Sequence, residues 1–291
     1  MIHPILICMV LFGLTATARA QDIPLNIVVF GAHPDDCDLD AGGTALLFAS
    51  MGHHVKFVSL TNGDAGHFSI GREELAVLRG KEAAEAGKRF GVTYKVLDNH
   101  DGELMPTLEN RMQVIREIRE WDADIVIAPR PNDYHPDHRY TGVLVQDAAY
   151  MVIVPALVAD SPPLKKNPVF LYTSDHFQKP NPFDPQIAID IGPVFDKKIY
   201  ALAAHESQFF EWLPWTSGKL EAVPENTQDR LAYLAAWRPD TPNVATLNSL
   251  EKWYGPGGRA VKHAEAFEIC EYGKQPTEEE IRLLFPMLNS E

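Results

Sequence analysis

From residue 26 to residue 151 the chain alternates short apolar, β-branched runs with longer segments of helical spacing, and this restricts the fold more than any other feature. The strand-like runs are 26–30 (NIVVF), 54–60, 94–97 and 125–128 (IVIA). Helices are expected over 41–51, 71–90, 108–121 and 139–151. Leu75, Leu78, Ala83, Ala86 and Phe90 fall near one face of the second helix, and Gly91 stops it. Strands that are apolar throughout are buried on both faces, and strands separated by helices pair in parallel. The expected class is therefore α/β, a mostly parallel sheet with both faces covered.

The second half is less regular. Pro-rich connectors at 161–168 and 178–185 surround a strand over 169–173, and a further strand is expected over 187–191. Helices are expected from 197, over 225–237 and over 278–285, with a mobile turn at 255–258. No internal repeat and no long linker divides the chain.

Residues 5–14 are almost wholly apolar, too short to span a bilayer comfortably, and followed by Ala18-Arg19-Ala20. This is the pattern of a cleaved export signal over residues 1–20, although only the amino terminus and His3 supply its positive end. An uncleaved anchor fits the small-residue exit less well, so a soluble, exported protein without stable membrane insertion is expected. With 26 Lys and Arg against 40 Asp and Glu, the net charge of −14 argues against a nucleic-acid or anionic-membrane partner. Cys8 leaves with the signal; Cys37 and Cys270 form either one bridge or two buried thiols, and the absence of C-x-x-C excludes a structural zinc-finger site.

In a parallel sheet, function collects beyond the carboxyl ends of the strands. The loops there, 31–40, 61–70 and 129–138, are also the richest in His, Asp, Asn and Gly. The first carries His33-Pro34-Asp35-Asp36-Cys37-Asp38, in which Pro34 stiffens the chain. A His and adjacent carboxylates at the end of a buried strand are costly unless something neutralises them, and a divalent cation does so. A surface turn with Asp40 capping the following helix leaves the other acids unexplained. The last loop carries His135-Pro136-Asp137-His138. One His from here, with His33 and one Asp, would make three ligands and an open position for water, as in catalytic zinc sites. Asp137 could bond a ring nitrogen of the other His.

AHPDD after the first strand, with HPDH roughly a hundred residues on, resembles the LmbE-like (PIG-L) zinc-dependent de-N-acetylases. The resemblance extends to residues 61–66 (TNGDAG), Arg79-Gly80-Lys81-Glu82, Asp101-Gly102 and His205-Glu206-Ser207-Gln208, so it covers most of 25–210. Beyond that only residues 264–267 match, weakly, and the chain reads as one domain over 21–291 with a C-terminal extension from 211. The resemblance implies a Rossmann-like three-layer fold. It makes His33, Asp36 and His138 the metal ligands, Asp35 the general base, and His135 the group assisting the leaving amine, oriented by Asp137. Arg79 and Asp101 fall where the family contacts sugar hydroxyls. The implied cofactor is zinc, with ferrous iron as the alternative. Where many members carry Glu after the two Asp residues, this chain has Cys37, and Asp38 follows; Cys37 is expected to pack rather than to ligate.

The expected function is that of an exported hydrolase using metal-activated water to remove an N-acetyl group from an amino sugar or glycoconjugate. A zinc amidase on another amide, or an inactive carbohydrate-binding protein, are the other readings. Gly42-Gly43-Thr44 lacks the Lys and spacing of a phosphate loop and reads as close packing. His53, His54, His67 and His100 read as surface or satisfied residues, and most of Trp212, Trp215, Trp237, Trp253 and Tyr254 as core filling rather than a sugar-stacking wall.

Overall fold

The computed structural model describes residues 24–289, so the export signal expected over 1–20 lies outside the described residues. Strand β1 (Asn26–Gly31) sets the architecture. Its side chains alternate, so that Ile27 and Val29 enter one buried cluster and Val28 and Phe30 another, one on each face. Three parallel strands repeat this pattern: β2 (His54–Thr61), β4 (Ile125–Ala128) and β5 (Val169–Thr173). With β3 (Thr93–Asn99), β6 (Ile187–Asp190) and β7 (Ala264–Gly273) they form one seven-stranded sheet ordered β3-β2-β1-β4-β5-β7-β6. The first five strands are parallel, and β7 runs antiparallel to β5 and β6.

The helices are α1 (Asp36–Ser50), α2 (Arg72–Phe90), α3 (Leu108–Glu120), α4 (Pro136–Met151), α5 (Phe195–Leu202), α6 (Leu213–Thr216), α7 (Thr227–Trp237), α8 (Val244–Tyr254) and α9 (Glu278–Leu284). A π-helical turn, Ser207–Trp212, leads into α6. Helices α1, α2 and α5 cover one face while α3 and α4 cover the other, giving the three-layer Rossmann-like fold. No helix among the described residues is long and apolar enough to cross a membrane.

The region past 210 is built into this frame. Strand β7 sits inside the sheet, and Glu265 on it accepts from Gly43 N at 2.8 Å and Thr44 N at 2.7 Å. The helical acceptor Leu39 O is taken by Lys198 Nζ at 2.7 Å and Arg238 Nη2 at 3.1 Å. Lys198 is fully buried and also bonds Asp240 Oδ2 and Glu265 Oε1. A Cβ at Gly43 would stand 2.7 Å from Ile191, so the Gly42-Gly43 pair serves close packing. The turn expected at 255–258 is a 3-10 segment, Gly255–Ala260.

Cys37 and Cys270 are both free and buried. Cys37 Sγ donates to Val29 O at 3.3 Å inside the core, and Cys270 Sγ lies 3.0 Å from Tyr172 Oη.

Candidate metal centre

The strand order reverses between β1 and β4, whose carboxyl ends open the crevice where ligands of such sheets bind. The segment from the end of β1 into α1 supplies His33, Asp35 and Asp36, and the segment from the end of β4 into α4 supplies Asp133, His135, Asp137 and His138. Both helices that follow begin earlier than their hydrophobic spacing suggests. Pro136 takes the first position of α4, where a missing N–H costs nothing, and His135 is its cap. Helix α1 starts at Asp36, so the motif acids lie on its first turn. Gly31 permits this: a Cβ there would stand 2.7 Å from the Asp36 Cβ.

Three donor atoms converge. His33 Nδ1 lies 3.2 Å from His138 Nε2, and Asp36 Oδ2 lies 3.5 Å from each. Asp36 Oδ2 is held in place by the backbone N–H groups of Ala32 and His33, both at 2.8 Å. The outward nitrogen of each imidazole meets carboxylates. His33 Nε2 is 3.1 Å from Asp101 Oδ1 and 3.3 Å from Asp137 Oδ2, and His138 Nδ1 is 3.2 Å from Asp133 Oδ1. Carboxylates on the outer nitrogens put the protons there and turn the inner lone pairs toward each other. Two imidazole lone pairs and a carboxylate oxygen facing one point are repulsive unless a cation joins them. Tetrahedral ligands about 2.0–2.1 Å from zinc are roughly 3.3 Å apart, which is the size of this triangle. The residues present therefore fit a divalent ion. His135 with His33 and His138, and His33 with Asp101 and Asp137, are the neighbouring groups close enough to ligate.

The electrostatics favour positive charge here. Burial lowers His138, but Asp36 and Asp133 outweigh it and bring its pKa to about 9. Burial likewise opposes the proton on His33, and Asp101, Asp137 and Asp36 overcome it. Burial would raise Asp36, yet the two imidazoles hold it well below the usual carboxylate range. Its neighbour goes the other way: burial and the Asp36 charge push Asp35 up to about 7.

Asp35 is buried and adopts φ 153°, a strained value for a residue with a side chain. Gln208 Nε2 donates to its Oδ2 at 2.9 Å. His135 is kept below the ordinary imidazole range by burial and by His33 and His138. Its Nδ1 accepts from the Asp137 backbone N–H at 3.2 Å, so the neutral ring carries its proton on Nε2.

Beside this cluster lies a cavity of about 310 Å³, lined by His33, Arg79, Asp101, His135, Gln208 and Trp212 among others. Arg79 is only 2% exposed, and its Nη2 donates to Gly66 O at 3.0 Å and to Gln208 Oε1. Trp212 stacks on Trp215, which stacks on Phe68, forming an aromatic wall toward the rim.

Some placements differ from the sequence reading. Asp137, read as orienting His135, turns its carboxylate to His33 and to the N–H groups of Gly102 and Leu104, and meets His135 only through its backbone. Asp101, read as a sugar contact, lies against the His33 ring. Asp38 does not touch the ligands; it bonds His205 Nε2 at 2.9 Å and Tyr94 Oη at 2.7 Å in the interior. Asp133, to which the sequence reading gives no role, meets His138 Nδ1; an acid five residues before a candidate ligand in one loop is the available signal.

Residues 28–149 match the family PIG-L: GlcNAc-PI de-N-acetylase. Diacetylchitobiose deacetylase of Thermococcus kodakarensis is 34% identical over 204 residues, covering 65% of this chain and 73% of that protein. The chain belongs to the PIG-L (LmbE-like) family. Another family relative, a probable N-acetyl-alpha-D-glucosaminyl L-malate deacetylase 2 of Bacillus anthracis, is 27% identical, covering 63% of this chain and 81% of its own. The solved N,N'-diacetylchitobiose deacetylase of Pyrococcus horikoshii superposes with a TM-score of 0.63 at 25% identity, covering 84% of this chain and 83% of that one. The PIG-L fold is not confined to deacetylases: GalB, a 4-carboxy-2-hydroxymuconate hydratase of Pseudomonas putida, superposes at 0.64 with 20% identity, covering 88% of this chain and 99% of that one. The fold alone therefore does not set the reaction; the site does.

Proposed function

We propose that this protein is an exported, zinc-dependent hydrolase that removes the N-acetyl group from an amino sugar or glycoconjugate. The observation that carries the reading is the triangle of His33 Nδ1, Asp36 Oδ2 and His138 Nε2, with Asp35 next in the chain and a cavity alongside. Family membership and deacetylase relatives support the acetamido substrate. Residues 5–14 and Ala18-Arg19-Ala20 support export.

His33, Asp36 and His138 would hold the ion. When bound, it supplies Lewis acidity toward a carbonyl oxygen and lowers the pKa of water. The remaining work falls to the chain. Asp35 Oδ1, which has no hydrogen-bond partner, takes the proton from the attacking water. His135 donates a hydrogen bond from Nε2–H to the oxygen that gains charge, and the proton taken by Asp35 passes to the departing nitrogen, so that amine and acetate are released. The Trp212 ring supplies an apolar face for a sugar ring, and Asp101 and Arg79 line the same cavity.

The test is acetate release from N,N'-diacetylchitobiose and N-acetylglucosamine, measured together with metal content. The expected result is stoichiometric zinc or ferrous iron and acetate from at least one sugar. Bound metal without acetate from any acetamido sugar would favour an amidase for another amide, and a protein that binds no metal would favour a carbohydrate-binding role.

A further inference from the structure

The proposed mechanism leaves open what holds the base in place, since Asp35 lies in a strained backbone conformation with one carboxylate oxygen unpartnered. The group that holds it lies 173 residues along the chain, on the π-helical turn that carries Gln208. Such turns are rare and are found frequently at functional sites.

The Gln208 amide is read unambiguously by its neighbours. Arginine can only donate, so the Arg79 guanidinium fixes which end of the amide is oxygen, and the opposite end must be the N–H that Asp35 Oδ2 receives at 2.9 Å. Arg79 is itself anchored on Gly66 O. Three residues on along α2, Glu82 accepts from Ser207 N at 2.7 Å and Ser207 Oγ at 2.6 Å, pinning the residue before Gln208. One face of α2 therefore fixes both the position of the turn and the orientation of the amide.

We propose that Gln208 is a positioning residue that locks the Asp35 carboxylate through Oδ2 and so reserves Oδ1 for the proton. This rests on the reading of Asp35 as the base. Arg79 orients Gln208 through its amide oxygen in addition to lining the cavity.

Gln208→Glu and Gln208→Leu test it in the metal-loaded full chain, with acetate release from N,N'-diacetylchitobiose as the assay. Gln208→Glu keeps the size and still accepts from Arg79, but cannot donate to Asp35. Both variants should lose about 10–100-fold in kcat, as a misplaced catalytic group does, with KM and metal content nearly unchanged. In an Asp35→Asn background, adding Gln208→Leu should cost almost nothing further, because the two act as a unit. Normal kcat in Gln208→Glu, or losses that simply add, would overturn the proposal. If Asp35→Asn itself turns over normally, the base reading fails instead. Crystal structures of the metal-loaded wild type and Gln208→Leu then decide the positioning role without an assay: an Asp35 carboxylate that keeps the same orientation in both would overturn it, and one that turns in the variant would support it.

Discussion

Asp35→Asn should cut turnover by at least roughly a hundredfold while leaving the metal bound, because removing a general base costs about 10²–10⁴. The substitution is nearly isosteric, and Asn tolerates unusual φ better than most residues, so the strained backbone at φ 153° should survive it. What changes is chemistry: an amide at this place has no oxygen that can hold a proton at neutral pH. The proposed ligands His33, Asp36 and His138 are untouched, and the backbone N–H groups of Ala32 and His33 still hold Asp36. Steady-state acetate release with metal analysis of the same sample checks this. Near-normal kcat would remove Asp35 from its role, whereas lost metal would show that Asp35 supports the ion site instead.

Lys198→Met should destabilise the fold by about 3–5 kcal/mol, the usual cost of leaving a buried charge without its partner. Lys198 is fully buried between Asp240 and Glu265, whose side chains are 4% and 3% exposed. Methionine matches the aliphatic stem but leaves Glu265 with only the Gly43 and Thr44 N–H groups as partners. It also leaves the Leu39 carbonyl to Arg238 Nη2 alone among these side-chain donors. Adding Glu265→Gln should recover part of the loss, since the unpaired carboxylate is then gone while the amide oxygen still accepts from one of the two backbone N–H groups. Asp240 keeps Arg238 at 2.7 Å in both variants. Urea unfolding of the two proteins measures the difference. A Lys198→Met protein as stable as the wild type would mean that this ion cluster does not tie β7 and α5 to α1.

The parallel half of the sheet was legible because every strand from β1 to β5 has its own apolar run and a helix or connector between it and the next. The site loops were legible for the same reason: His33 and His138 stand just beyond the carboxyl ends of parallel strands, which open on one edge of such a sheet. The starts of α1 and α4 were not: Pro34 reads as a loop residue and stands just before the cap of α1, and Pro136 reads as one although proline at the first helical position is ordinary. Helix α8 left a readable trace in Val244, Leu247, Leu250 and Tyr254 after the capping Asn243. Strand β7 did not: Glu265, Glu268 and Glu271 recur every third residue and hide the two-residue alternation of a strand. Glu265 is buried because Lys198 and two backbone N–H groups meet it, a tertiary fact no local pattern carries. The roles of Asp101, Asp133 and Asp137 around the imidazoles likewise depend on which ring nitrogen each carboxylate reaches, a matter of angles that spacing along the chain leaves open.

Anomalous diffraction at the zinc edge, from crystals of the full chain grown with zinc, bears most directly on the account. A single peak about 2.0–2.2 Å from His33 Nδ1, Asp36 Oδ2 and His138 Nε2 is the predicted result. A peak held by His33 with Asp101 and Asp137, or by three imidazoles with Asp36 excluded, would contradict it.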